Sequence, residues 1–190
     1  MAAARRLDRV LPDDLTGEAA ELYATYATGK RAGPDAGFAL VLADGELIGP
    51  PATWMLNPRL GRGLERLGFG TRFDLSLPDR AREIVILLVA AAEDNDFERY
   101  AHHQAARRAG LDDEEIRLLD SGSFAPENED EAVVVGVTQE LLRSGTLSDA
   151  TWRVAEGTLG RQAILEIVTL VGWYRLVALQ LRVFGMEPPA

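Results

Sequence analysis

The sequence predicts an all-α protein built as one helical bundle. Three observations carry that expectation. No alternating apolar and polar run carries a tight Asn-Gly or Asp-Gly turn, so the usual hairpin signal is missing. The β-branched cluster Val133-Val134-Val135 lies inside Glu129–Arg143, which is acidic at its start and basic at its end, a polarity that suits a helix dipole. Helical spacing of apolar residues fits most of the remaining chain.

Each helix has its own reason. Leu15 to Thr28 is amphipathic. Thr53 to Leu67 is helical but interrupted at Asn57-Pro58, because proline disfavours helical geometry in the residue before it. Pro78 to Ala92 starts with proline, where the missing N–H costs little. Asn95 to Ala109 is followed by Gly110, a residue suited to a left-handed cap. Asp112 to Leu119 opens with Asp112 and Glu115 at capping-box spacing. Glu129–Ser144 and Ser148–Thr158 form a pair. A long last helix runs from about Arg161 to Phe184 and stops at Gly185. Gly29–Pro50 and Ser121–Asn128 read as loops. The former is long for a compact domain, so Phe38–Leu42 is expected to lie ordered against the core or a neighbouring subunit. Residues 1–44 form an N-terminal helix-and-loop extension, and 45–190 form the main helical domain.

Composition narrows the function. The chain has 190 residues, enough for one substantial core. Thirty acidic and twenty basic residues give a net charge of −10, which would repel a phosphate backbone, so no nucleic-acid partner is expected. Cysteine is absent. That removes disulfides, thiolate nucleophiles and zinc–thiolate sites, and it fits a reducing, cytoplasmic setting. The one lysine is Lys30, in a Gly-rich stretch, and the two histidines are adjacent, His102 and His103. The start of the chain lacks a signal-peptide apolar core. The apolar run Ile164–Phe184 is broken by Glu166, Arg175, Gln180 and Arg182, so it reads as a core helix rather than a membrane span.

The chemistry-bearing residues are few. Glu98 and His102 are four apart, which places them on one helical face with Cβ atoms ~5–6 Å apart. A carboxylate beside an imidazole fixes its tautomer and makes a tunable acid/base pair. The same spacing describes an ordinary surface pair, and taken alone it favours that reading. His103 projects elsewhere, as a bystander or interface residue. Glu83 heads the run Ile84–Val89, so partial burial is expected, with Arg80 or Arg82 as an alternative partner. Glu166 heads a similar run, Ile167–Val171, and reads as half of a structural salt bridge. Trp173, Tyr174, Trp54 and Met55 read as core or pocket wall. There is no GxSxG, GxGxxG, Walker A or HExxH pattern. With two histidines and no cysteine, no metal site and no cofactor are expected.

At this point Pro78–Leu87, Phe97-Glu98-Arg99-Tyr100-Ala101-His102 and Ala109–Ile116 resemble the carboxymuconolactone decarboxylase family, of the alkyl hydroperoxidase D-like superfamily. Leu165–Val168, Val171–Tyr174, Gly49-Pro50-Pro51 and Met55–Pro58 are similar to flanking segments of that family. The resemblance covers most of the chain from about Gly45. It implies a helical bundle that assembles as a trimer or hexamer. In the peroxidase branch a CxxC pair works with a His and an upstream Glu. Asn95 and Glu98 fall at the two Cys places, His102 at the His place and Glu83 at the Glu place. Without a thiol, that peroxidase mechanism cannot operate. The decarboxylase branch carries Glu-Trp-x-x-His. Here Glu98 and His102 match while Arg99 replaces the aromatic residue.

The resemblance therefore implies a cofactor-free lyase acting by proton transfer on a small carboxylated or lactone substrate. His102, Glu98 and Glu83 would be catalytic. Arg82 or Arg99 would neutralise a substrate carboxylate, and Asn95, Trp54 and Tyr174 would complete the binding site. Two other readings stay open: a catalytically inactive helical oligomer serving as a binding protein or scaffold, and a metal-dependent hydrolase.

Overall fold

Helices account for nearly all regular structure in the computed structural model, which describes residues 5–28, 38–126 and 128–189. They are α1 (Gly17–Thr28), α2 (Pro50–Trp54), α3 (Pro58–Phe73), α4 (Asp79–Ala92), α5 (Asp96–Arg108), α6 (Asp113–Asp120), α7 (Glu129–Ser144), α8 (Asp149–Thr158) and α9 (Gly160–Phe184). The fold is all-α.

The boundaries follow the capping chemistry. Asn57, Asn95, Asp112, Asn128 and Ser148 each accept a backbone N–H of the first turn that follows, satisfying donors that a helix start leaves open. Asp112 and Glu115 close a reciprocal capping box. Gly145 and Gly185 end α7 and α9 in the left-handed conformation. The break at Asn57-Pro58 is complete, so the expected interrupted helix is two separate ones, α2 and α3.

Helix α4 is the hub, packed by α5, α6, α7 and α9. Every residue from Glu83 to Ala90 is buried, as expected of a helix that is apolar all round. Its Val85, Ile86 and Val89 join the main core with Ile167, Leu170 and Val177 of α9. Its Ile84, Leu87 and Leu88 join a second cluster with Ala106, Ile116, Leu119 and Val135. Helix α9 is long and apolar enough to cross a membrane by length and composition, but it packs on α2, α3, α4, α7 and α8 as a core helix. Its outer face leaves Leu165, Val168, Leu176, Leu179 and Val183 exposed.

The segment that reads as the Gly29–Pro50 loop carries one ordered feature. Asp44-Gly45 does act as a tight turn, with Gly45 at φ +87°. The chain folds back so that Val41 and Leu47 form an antiparallel bridge, Leu47 bridges Val10, and the Ile48 N–H donates to the Leu40 carbonyl at 2.8 Å. The flanking residues do not alternate, because Leu40, Leu47 and Ile48 all face the core. The expectation for Phe38–Leu42 agrees with this packing. Lys30 and the rest of 29–37 lie outside the described residues, as does Glu127 of the second expected loop.

Candidate active site

Helices α4 and α5 cross so that Glu83 and His102, nineteen residues apart, meet in the interior. Asn95 sets the register. Its Oδ1 accepts the Glu98 N–H at 3.0 Å, starting α5 so that Phe97, Glu98, Ala101, His102 and Ala106 turn inward. The small Ala101 and Ala106 side chains allow close approach, and the buried face is centred on Glu98 and His102 rather than on an all-apolar stripe. Those two residues are 4% and 2% exposed, and Glu83 is 1% exposed. The surface-pair reading of Glu98 and His102 is thereby corrected. Helical spacing carries no information about which neighbour covers a face.

The geometry is a relay in miniature. His102 Nδ1 lies 2.7 Å from Glu83 Oε2, and Nε2 lies 3.4 Å from Glu98 Oε2. Arg82 Nε and Nη2 donate to the other Glu83 oxygen at 3.2 and 3.1 Å. Arg82 is itself held by Asp79 at 2.6 Å and by the Arg72 carbonyl at 3.0 Å. The Tyr174 ring meets the imidazole edge-on at 5.1 Å, and Phe38 lies 5.7 Å from it.

The two carboxyls are driven apart. Burial alone would raise Glu83, but His102, by charge and hydrogen bond, and then Arg82 and Arg72 outweigh it and hold Glu83 below the ordinary range. Glu98 has no comparable set of donors. Burial raises it, and the charges of His102 and Arg72 offset that only in part. One buried carboxylate therefore stays ionised beside one ring nitrogen, while a carboxyl inclined to hold its proton faces the other. Environments that separate two titrating groups in this way define acid and base roles.

A cavity of about 50 Å³ opens beside this pair. Glu98, His102 and Phe97 of α5 form one wall, and Trp173, Tyr174 and Val177 of α9 another. Trp54 with Pro50 and Pro51, Arg72 with Gly68, and Phe38 with Leu40 complete it. Trp54 is fixed by its indole N–H, which donates to Gln180 at 3.0 Å.

Several expected binding residues are not brought to this cavity. Arg82 is turned onto Glu83. Arg99 pairs with Asp94 and Asp96 at 3.1 and 2.8 Å. Asn95 caps α5. Trp54 and Tyr174 do line the cavity. The arginine that reaches it is Arg72, which no pattern in the sequence singled out. His103 meets Asp120 at 3.0 Å. Arg80 pairs with Glu115 and Glu131, not with Glu83. Glu166, expected in a salt bridge, instead accepts the Ser76 and Leu77 N–H groups, the Ser76 hydroxyl and the Gln162 amide, all between 2.9 and 3.1 Å. It serves as an acceptor for the turn before α4, whose Pro78 supplies no side-chain cap. Among the described residues, no group of three or more His, Asp or Glu side chains is arranged to hold a metal ion.

The fold and the paired helices define a helical bundle with a buried imidazole between two carboxyls at its centre. The model of the Carboxymuconolactone decarboxylase family matches residues 58–140, which contain Glu83, Glu98 and His102. A crystal structure from Agrobacterium tumefaciens has the same fold, with a TM-score of 0.64 at 15% identity, covering 73% of this chain and 96% of that one. That protein is described as of unknown function, with a suggested role as the antioxidant defence protein AhpD. No curated protein matches the chain. Residues 58–140 are thus similar to the carboxymuconolactone decarboxylase family, in a chain that carries no cysteine.

Proposed function

We propose that this protein is a cofactor-free lyase that decarboxylates a small carboxylated substrate by acid/base chemistry at Glu98 and His102. The observation that carries the reading is one buried imidazole set between two buried carboxyls of opposite titration tendency. Glu83 accepts the Nδ1 proton and fixes the tautomer, so the Nε2 lone pair faces Glu98. Arg82 orients Glu83 and keeps it ionised. Glu98 holds the working proton at the cavity wall.

The reaction follows from these roles. The substrate's carbon–carboxylate bond breaks and carbon dioxide leaves. The electron pair passes onto a conjugated substrate carbonyl as an enolate. Glu98 then delivers its proton to carbon, and His102 relays a replacement proton from solvent. Aromatic walls keep the site dry, which strengthens each electrostatic contact. A thiol peroxidase route does not apply to a chain without cysteine.

A homo-oligomer is part of the proposal. The exposed Leu165, Val168, Leu176, Leu179 and Val183 follow one another at steps of three, eight, three and four residues, which keeps them on one face of α9, a face that a second copy would cover. Size-exclusion chromatography with light scattering tests it, and a monomer at micromolar concentration would remove it.

The activity is tested with a panel of short keto, unsaturated and lactone acids, read by carbon dioxide release. The wild type should turn over at least one. His102→Asn should lose at least ~10²-fold in kcat while its circular dichroism is retained. Unchanged turnover in that variant would remove the mechanism.

A further inference from the structure

We infer that Arg72 forms an anion subsite in the cavity, and that the ligand class it selects is a short monocarboxylate. Arg72 sits in the last turn of α3, and its guanidinium lies over the Phe38 ring, 4.8 Å from the centroid. Stacking of this kind steadies the planar group while its N–H donors point outward from the edge. The guanidinium carries five N–H donors in a planar fork, so a bidentate carboxylate can join a partner it already has. Among the described residues that line the cavity, Arg72 is the only arginine or lysine.

The rest of the wall sets the other terms. Glu98 faces the same space, with Glu83 behind His102. A ligand with two carboxylates would place its second charge near those carboxyls, where Arg82 is already committed to Glu83 and Asp79 and does not line the cavity. Trp54, Phe97 and Trp173 offer the remainder of the ligand an apolar surface. The cavity, at about 50 Å³, admits only a short body, far below the ~300–1,000 Å³ typical of drug-sized ligands. The inference rests on the proton-transfer reading in one respect: a carboxylate held on Arg72 brings its neighbouring carbons toward Glu98.

Binding can be measured without turnover. Trp54 and Trp173 line the cavity, so intrinsic fluorescence reports its occupancy. Propionate, its neutral isostere propionamide, and the dianion malonate are titrated at pH 7. Propionate should bind roughly tenfold more tightly than propionamide, as expected of charge-assisted hydrogen bonds, and more tightly than malonate. Arg72→Gln should erase the preference for propionate over propionamide. Arg72→Lys should keep part of it, since the charge remains and the planar fork is lost. Arg99→Gln should leave it intact. Equal binding of propionate and propionamide to the wild type overturns the subsite, whatever the variants do. Malonate binding as tightly as propionate overturns the monoanion class. The two readings separate cleanly. A carboxylate preference that depends on Arg72, with no carbon dioxide release from any acid tested, retains the subsite and removes the lyase reading. Turnover without that preference does the reverse.

Discussion

Glu83 and Glu166 stand at matching places in two apolar helices, Glu-Ile-Val-Ile-Leu-Leu-Val on α4 and Glu-Ile-Val-Thr-Leu-Val on α9. Both are buried, and both are held below the ordinary carboxyl range against the cost of burial. Their partners differ. Glu83 meets an imidazole and a guanidinium, groups that can exchange or steady a proton. Glu166 meets backbone amides, a hydroxyl and a side-chain amide, which keep their protons at any ordinary pH. Two similar sequence patterns thus yield a carboxylate joined to a titratable ring in one helix and a fixed brace in the other. The lesson is that a buried carboxylate is defined by what it accepts from.

Substitution at Glu83 should have the largest effect. Glu83→Gln keeps the shape but no longer holds Nδ1–H in place by charge, and turnover on any substrate found should fall by ~10²–10⁴-fold. Glu83→Ala also leaves Arg82 and His102 buried without their shared acceptor, and urea unfolding should show a loss of about 3–5 kcal/mol. A Gln variant of full activity would mean that Glu83 is a brace like Glu166.

Next in size is Glu166→Ala. It strands the Ser76 and Leu77 N–H groups ahead of α4, and the expected cost is about 2–3 kcal/mol in urea unfolding. The pH dependence of turnover should not move. A shifted profile would show that the two glutamates are coupled after all.

A smaller effect separates the carboxyls by sign. Glu83 and Glu166 are lowered, so their stabilising contributions are present above the ordinary carboxyl range and are lost as pH falls through their depressed values. Glu98 is raised, so its contribution is present at low pH and is lost as pH rises through its elevated value. Stability curves from pH 4 to 8 should therefore show Glu98→Gln gaining on the wild type as pH rises. A difference independent of pH would contradict the assignment of Glu98 as the proton-holding group. The smallest effect belongs to Arg99→Gln. Its ion pairs reach the exposed Asp94 and Asp96, and the stability change should stay within about 0.5 kcal/mol.

Much of the site was legible locally, and the rest was not. The four-residue step from Glu98 to His102 lies within one helix, where geometry is set by the backbone alone. Arg82 and Arg99 were expected in the pocket because they stand beside these residues in sequence. Neighbours along a helix project about 100° apart, so adjacency pointed Arg99 to its aspartates and Arg82 onto Glu83. Arg72 reaches the cavity from a different helix, α3, and nothing beside it in the chain marks it.

By itself, the amino-acid sequence determined where most of the helices begin and end, though not the outer bounds of α2 and α3, because caps such as Asn95, Asp112 and Gly185 act on backbone groups a few residues away. It also determined the absence of thiol chemistry. Only the tertiary structure decided that Glu83 rather than Glu166 joins the imidazole, that Glu98 and His102 lie inside, and that Arg72 faces them. Those outcomes depend on desolvation and on partners brought from 19 to 90 residues away, and such distances are closed by packing, which no local pattern encodes.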